Sequence, residues 1–216
     1  MATPTQLTLY NGALRVLGER RLASLTENRE PRYLLDDVWA EGAVDYCLAR
    51  GQWYFAMKSA QLDYDTSVTP AFGYLRAFQK PTDWRLTNAL CSDERYKVPL
   101  LDYIDEAAYW YADLDTLYVK YVSNDSLYGG DWSLWSEQFT EYVHAYLARK
   151  IARSLCGGDE TKLEEIRNHE KECLTIAKNE SAMVGPTRFP AQGSWSSARQ
   201  SQSRRRDGGN TGSLIG

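Results

Sequence analysis

Apolar residues near the start of the chain recur every three or four positions, which is the spacing of a helix that buries one face. They are Leu7, Tyr10, Leu14 and Leu17. This pattern predicts a first helix from Thr5 to about Glu19. We expect Thr3 or Thr5 to cap its N-terminus and Gly18 to lie near its end.

A second helix is predicted after Pro31, a residue that suits the first helical turn. It would run over Arg32–Arg50, and we expect Gly51 to end it in the left-handed conformation. Its buried positions would be Leu35, Val38, Trp39, Ala43, Tyr46 and Cys47.

The middle of the chain changes to alternation and turn-forming residues, which are typical of strands. Strands are predicted at Trp53–Tyr64, Tyr96–Tyr103, Ala107–Ala112 and Leu117–Val122. In the last strand one face would hold Leu117, Val119 and Tyr121, and the other Tyr118, Lys120 and Val122. We expect the third and fourth strands to pair across Asp113–Asp115. These segments predict a small antiparallel β-rich insertion at about residues 53–122.

Helical spacing returns from Asp131 to about Cys156, a predicted helix roughly 39 Å long at ~1.5 Å per residue. Gly157 and Gly158 would break it, and Asp159 would cap a last helix that runs to about Met183. So short a break predicts an antiparallel helical hairpin. We therefore expect a mainly α (α+β) fold over residues 1–183: a four-helix bundle closed by its first and last helix pairs, with the β-rich insertion at one end.

Residues 184–216 lack apolar periodicity and are rich in Gly, Ser, Pro, Arg and Gln. Such a segment cannot bury enough apolar surface to offset its ordering entropy, so we expect an extended, flexible C-terminal arm. It nevertheless carries Phe189, Trp195 and five arginines, side chains that commonly anchor protein contacts.

Charge is unevenly distributed along the chain. The net charge is −4. The arm holds five arginines against Asp207, a net charge of +4, which leaves −8 on residues 1–183. An acidic body is a poor non-specific DNA binder, because phosphate binding requires clustered Lys and Arg.

Few residues suggest chemistry. His169 and Cys173 have a metal-compatible spacing, but no convincing set of further ligands lies near them in the sequence. Carboxylate pairs are frequent enough to arise by chance: Asp36–Asp37, Asp105–Glu106, Asp113, Asp115 and Glu164–Glu165. No phosphate-binding loop or nucleophile motif is present. We predict no catalytic residue, cofactor or metal. Without an export signal, membrane anchor or CxxC motif, the four cysteines are expected to be reduced in a cytoplasm.

Several segments resemble, in order, the tail tubular protein A family, the head-to-tail adaptors (connectors) of short-tailed and related bacteriophages. The resemblance begins with LYNGALRVLGERRLASLTENREPRYLLDDVW (Leu9–Trp39) and ARGQWYFA (Ala49–Ala56). It continues in FQKPTDW (Phe78–Trp84), YVSNDSLYG (Tyr121–Gly129) and LARKIA (Leu147–Ala152), and ends in RFPAQGSW and AR within Arg188–Arg199. It does not extend to Gln200–Gly216.

The resemblance implies a structural virion protein, made in the host cytoplasm and located at the head–tail junction. Family members form a ring, commonly a dodecamer, that joins the portal to a tail nozzle of the tail tubular protein B kind. The ring continues the DNA channel, through which genomic DNA passes without sequence-specific binding. The family's C-terminal arm reaches onto the portal, a role that falls here on Arg188, Phe189, Trp195 and Arg199. The insertion would face neighbouring subunits or the tail.

Two alternatives remain at this stage. A tail-associated hydrolase of cell-wall or surface glycan would use a carboxylate pair in a cleft, with the pKa of one carboxyl raised. A nucleic-acid-binding accessory protein would use Arg204–Arg206 and show salt-sensitive DNA binding. The acidic body disfavours the second alternative.

Overall fold

The computed structural model describes residues 3–71 and 73–184. The helices of this part are α1 (Gln6–Leu17), α2 (Glu30–Ala40), α3 (Ala43–Leu48), α4 (Glu137–Leu155) and α5 (Glu160–Val184). The strands are β1 (Met57–Asp63), β2 (Arg76–Gln79), β3 (Trp84–Cys91), β4 (Ile104–Asp105), β5 (Tyr109–Ala112) and β6 (Thr116–Ser123). Short 3-10 turns cover Tyr54–Ala56 and Trp132–Leu134. None of these helices is long and apolar enough to cross a bilayer.

The first helix has the ends that its sequence predicts. The Thr5 hydroxyl accepts a hydrogen bond from the Thr8 backbone N–H at 3.2 Å, and the Thr8 hydroxyl accepts one from the Thr5 backbone N–H at 2.7 Å. Gly18 follows α1 with φ of 74°, the left-handed conformation that a residue without Cβ adopts without strain. The predictions that Thr5 caps this helix and that Gly18 lies near its end are both confirmed.

The predicted helix over Arg32–Arg50 is wrong in one respect, because it is two helices. The chain breaks at Gly42, which has φ of 86° and separates α2 from α3. Gly51, the expected terminator, is not left-handed. Position 51 favours glycine for another reason, because a Cβ there would lie 2.7 Å from the indole of Trp53.

The last two helices follow the prediction more closely. Ser136 caps α4 by accepting from the Phe139 N–H at 3.2 Å, so α4 starts later than Asp131 and is shorter than expected. Gly157 and Gly158 both have positive φ and turn the chain. Asp159 then accepts from the N–H of Thr161, which confirms it as the cap of α5.

The strands form two three-stranded antiparallel sheets, ordered β1-β6-β3 and β2-β5-β4. The predicted pairing of Ala107–Ala112 with Leu117–Val122 is wrong, because β5 and β6 belong to different sheets. The predicted strand at Tyr96–Tyr103 is reduced to a bridge between Pro99 and Cys91. The alternation within β6 is confirmed, since Leu117, Val119 and Tyr121 are buried together under the first sheet.

The predicted four-helix bundle is wrong. The described chain is an α+β structure in which α4 is the central helix, packed by α1, α2, α3 and α5. At six residues, α3 is too short to form a bundle wall. The β-sheet region also shares the helical core, because Trp53, Phe55 and Val122 lie in the same buried cluster as Phe139. Hydrophobic periodicity locates buried faces but does not show which elements cover them.

Candidate interaction surfaces

Three segments of the first sheet meet around one carboxylate, in a cluster here called the polar junction: Lys58, Asp83, Tyr121, Ser123 and Asp125. The Lys58 ammonium donates to Asp83 at 2.8 Å and to Asp125 at 3.2 Å. The Ser123 hydroxyl donates to Asp83 at 2.6 Å and the Tyr121 hydroxyl at 3.2 Å. Asp83 therefore ties β1 and the end of β6 to the turn that precedes β3.

Local structure places each member of the polar junction. Lys58 lies opposite Tyr121 in the β1–β6 register, so both side chains occupy the same sheet face. The Trp84 N–H donates to the Pro81 carbonyl at 3.0 Å, and this turn presents Asp83. After β6 the chain folds back so tightly that a Cβ on Gly129 would lie 2.4 Å from the Ser123 carbonyl oxygen.

At the polar junction the positive charge of Lys58 and the negative charges of Asp83 and Asp125 stabilise one another. Burial alone would raise the pKa of Asp83, but the Lys58 ammonium and the Ser123 hydroxyl outweigh it and hold that pKa below its usual value. The Leu127 backbone N–H, together with Lys58, lowers the pKa of Asp125. Hydrogen bonding to Asp83 raises the pKa of Lys58. Burial and the Asp83 charge raise the pKa of Tyr121 to about 12. The cluster is therefore a charged structural clamp near neutral pH.

A second polar contact joins the first sheet to the helices. Asp45 of α3 accepts from Arg85 at 2.9 Å and from the Asn124 amide at 2.8 Å. FQKPTDW and YVSNDSLYG therefore meet through Asp83, and Arg85, the residue after FQKPTDW, reaches the same helix as Asn124 of YVSNDSLYG. Segments that are far apart in the sequence form one structural unit.

Lys80, the lysine of FQKPTDW, links the second sheet to the first. Its ammonium pairs with Asp105 and lies 4.2 Å from the ring centre of Trp84 and 5.4 Å from that of Trp110. The side chain is 6% exposed. A cation in this position stabilises both the edge-to-face pair of Trp84 and Trp110 and, through Asp105, strand β4 of the second sheet.

The second sheet presents an exposed hydrophobic surface, here called the apolar tip: Tyr74, Leu75, Leu101, Asp102 and Ile104. Leu101 is 88% exposed and Leu75 is 74% exposed. The tip is nevertheless tied to the fold, because the Tyr74 hydroxyl donates to Asp102 at 2.5 Å and the Leu75 N–H donates to Asp113 at 2.7 Å. Exposed leucines held on an ordered loop pair are typical of a protein contact.

A second surface, here called the basic groove, lies between the first sheet and the end of α5. Its volume is about 680 Å³, and its lining includes Arg50, Tyr54, Met57, Leu86, Lys120 and Lys178. No carboxylate of the described residues lies within 4.0 Å of the charged groups of Arg50, Lys120 and Lys178. The lining of the groove therefore combines apolar side chains with three unpaired positive charges among the described residues.

A third cavity, of about 640 Å³, lies beside α1 and includes His144 in its lining. Burial lowers the pKa of His144, although Glu141 opposes this effect from 3.7 Å. The Nε2 edge of the ring is covered by Gly12, so this nitrogen has no room for a hydroxyl to activate. The geometry supports a packing role for the histidine.

The acidic residues singled out in the sequence have structural partners in several cases. Asp36 pairs with Arg32 at 2.7 Å, Asp115 with Arg76 at 3.0 Å, and Asp105 with Lys80. A glycosidase needs a general acid whose pKa is raised, whereas the pKa values of Asp83 and Asp125 are lowered. These two carboxylates are therefore unsuited to that role.

The His169–Cys173 pair behaves as a local contact on α5. The sulfur lies 3.7 Å from Nε2 of the imidazole. Across residues 3–71 and 73–184, no three His, Cys, Asp or Glu side chains are grouped as metal ligands would be. All four cysteines are free thiols.

The predicted portal-binding residues Arg188, Phe189, Trp195 and Arg199 lie outside the described residues, as do Arg204–Arg206. Sequence reasoning missed the polar junction and the apolar tip. The two Lys–Asp pairings gave no local signal, since each joins residues 25 positions apart. The tip did have a signal: Leu100-Leu101 and Ile104 stand in a segment that is otherwise acidic and polar.

No protein-family model matches the chain, and no curated protein is significantly similar to it. The geometry of the described residues therefore carries the functional inference, together with the segment resemblance.

Proposed function

We propose that this protein is a head-to-tail adaptor of a tailed bacteriophage virion. In this role copies of the chain form a ring, twelve-fold in the resembling family, between the portal and the tail nozzle. The ring continues the channel for genomic DNA, and the C-terminal arm binds the portal through Arg188, Phe189, Trp195 and Arg199. The protein acts by assembly rather than by catalysis.

The observation that carries the proposal is the meeting of the resembling segments at the polar junction. FQKPTDW supplies Asp83 and YVSNDSLYG supplies Tyr121 to Asp125, while their partner Lys58 lies two residues after the end of ARGQWYFA. Short segments that match a family by chance have no reason to contact one another in space. Contact between FQKPTDW and YVSNDSLYG through Asp83 makes them parts of one structural unit, which favours the family resemblance.

The exposed surfaces fit a protein that works through contacts. The apolar tip displays Leu75 and Leu101 to solvent, and the basic groove leaves Arg50, Lys120 and Lys178 without acidic partners among the described residues. Exposed hydrophobic patches rimmed by polar residues commonly mark protein interaction sites. A body with a net charge of −8 also suits a conduit, because an acidic wall does not retain passing phosphates.

Co-sedimentation with the portal ring encoded in the same genome tests the proposal. The expected result is that the full chain pellets with portal particles at micromolar concentration and remains in the supernatant without them. A chain that stays in the supernatant in both cases would contradict the adaptor function. A charge-matched soluble protein serves as the control for non-specific capture.

A further inference from the structure

The basic groove and the apolar tip have complementary character. The groove combines Met57 and Leu86 with the cations Arg50, Lys120 and Lys178. The tip combines exposed leucines with acidic residues. Residues 100–115 contain no lysine or arginine and five carboxylates: Asp102, Asp105, Glu106, Asp113 and Asp115. Arg76 and Lys80 neutralise Asp115 and Asp105, which leaves Asp102, Glu106 and Asp113 without a cationic partner among the described residues.

The two surfaces lie at opposite ends of the first sheet. Met57 pairs with Val122 at the groove end of β1, and Asp63 pairs with Thr116 at the other end. Seven strand residues span roughly 20 Å at about 3.3 Å per residue. Asp113, which holds Leu75 of the tip, lies three residues before Thr116. A single chain therefore cannot bring its own tip into its own groove.

We propose that the apolar tip of one copy docks in the basic groove of the next copy. The occupant of the groove is thus a second copy of this chain, in a head-to-tail contact between two different surfaces. Such heterologous contacts generate closed rings when the rotation between neighbours closes. This inference rests on the proposed ring, but it concerns contacts between copies and needs no portal.

Each side of the contact supplies what the other lacks. Leu101 and Leu75 would lose water against Met57, Leu86 and the half-exposed ring of Tyr54. Asp102 and Asp113 would approach Lys120 and Lys178, which steers the two copies together and fixes their orientation. The C-terminal arm is a poorer occupant of this groove, because the arm is itself positively charged.

Photo-cross-linking of the full chain without portal tests the contact directly. A benzophenone amino acid replaces Leu101, and the protein is mixed with an isotope-labelled copy so that links between copies are distinguished by mass. The expected links join position 101 to residues 50–57, 86 or 178–184 of the other copy. The matched control carries the same group at Leu127, which is 76% exposed and lies outside the tip, and should give few such links.

Charge reversal gives a second test. Lys120→Glu with Lys178→Glu should weaken self-association at least about tenfold in sedimentation velocity, as should Asp102→Lys. Mixing the two variants should restore association, because each reversed surface then meets its opposite. Lys162→Glu, on the exposed start of α5, is the control and should have no effect.

The outcomes separate this inference from the proposed function. Absent links between copies, or links from the groove to residues 185–216 instead, would overturn the docking of tip and groove. Failure of the mixed variants to associate would overturn it as well. Portal co-sedimentation is scored independently, so a chain that binds the portal without these links refutes only the inference.

Discussion

The imidazole of His144 packs directly on Gly12: a Cβ at position 12 would lie 2.3 Å from both Cδ2 and Nε2 of the ring. This contact closes α1 onto the central helix α4. Gly12→Ala should therefore lower the free energy of unfolding by about 1–3 kcal/mol through overpacking. Urea unfolding followed by circular dichroism measures it. His144→Ala in the same chain should relieve the clash, so the two substitutions together should cost less than their sum.

Lys58 pairs with two carboxylates at the polar junction, and its removal should leave both without a cation. Lys58→Met should lower the free energy of unfolding by about 2 kcal/mol, because Asp83 is largely buried and retains only hydroxyl partners. Thermal unfolding of the variant checks this. Lys162→Met on α5 is the matched control, and an equal loss there would refute a specific role for the junction.

The junction also predicts an acid sensitivity. The pKa values of Asp83 and Asp125 are lower in the folded chain than in the unfolded chain. Their contribution to stability is therefore present above the unfolded pKa of about 4 and is lost as the pH falls through the folded pKa values. Unfolding free energies measured at pH 7, 4 and 3 should therefore fall mainly between pH 4 and pH 3. Asp83→Asn should flatten that decline, and an unchanged slope would contradict the assignment.

We expect the C-terminal arm to be needed for portal binding but not for folding of the body. A chain truncated after Val184, the last residue of α5, should keep its helical circular dichroism and its unfolding midpoint. It should no longer bind the portal, because the proposed anchors Arg188, Phe189, Trp195 and Arg199 are removed. Within the full chain, Trp195→Ala should weaken portal binding by about 2 kcal/mol or more while leaving the body intact. Equal portal binding by the truncated chain would contradict the role of the arm.

Local signals were read from the sequence more reliably than long-range ones. Thr5, Gly18, the Gly157–Gly158 break and Asp159 act at short range, and the structure confirms them. The bundle prediction failed because helical spacing does not reveal that α4 is central or that Trp53 and Val122 share its core. β3 was missed because TNALC, its second half, lacks clear alternation and is interrupted by a register shift.

The candidate surfaces were less accessible to sequence reasoning for the same reason. The polar junction depends on Lys58 meeting Asp83 and Asp125, pairings of 25 and 67 positions that only the sheet register creates. The apolar tip did leave a signal, because Leu100, Leu101 and Ile104 interrupt an otherwise acidic and polar segment, but the sequence does not show that Leu101 is the exposed member of that group. The arm anchors could be proposed from the sequence alone, since aromatic and arginine residues in a polar segment stand out by composition.

Negative-stain electron microscopy of this protein mixed with the portal ring encoded in the same genome tests the adaptor function most directly. The predicted result is portal particles that gain a second ring, whose class averages give the symmetry of the assembly. Portal particles that remain bare at micromolar concentrations of the protein would contradict it.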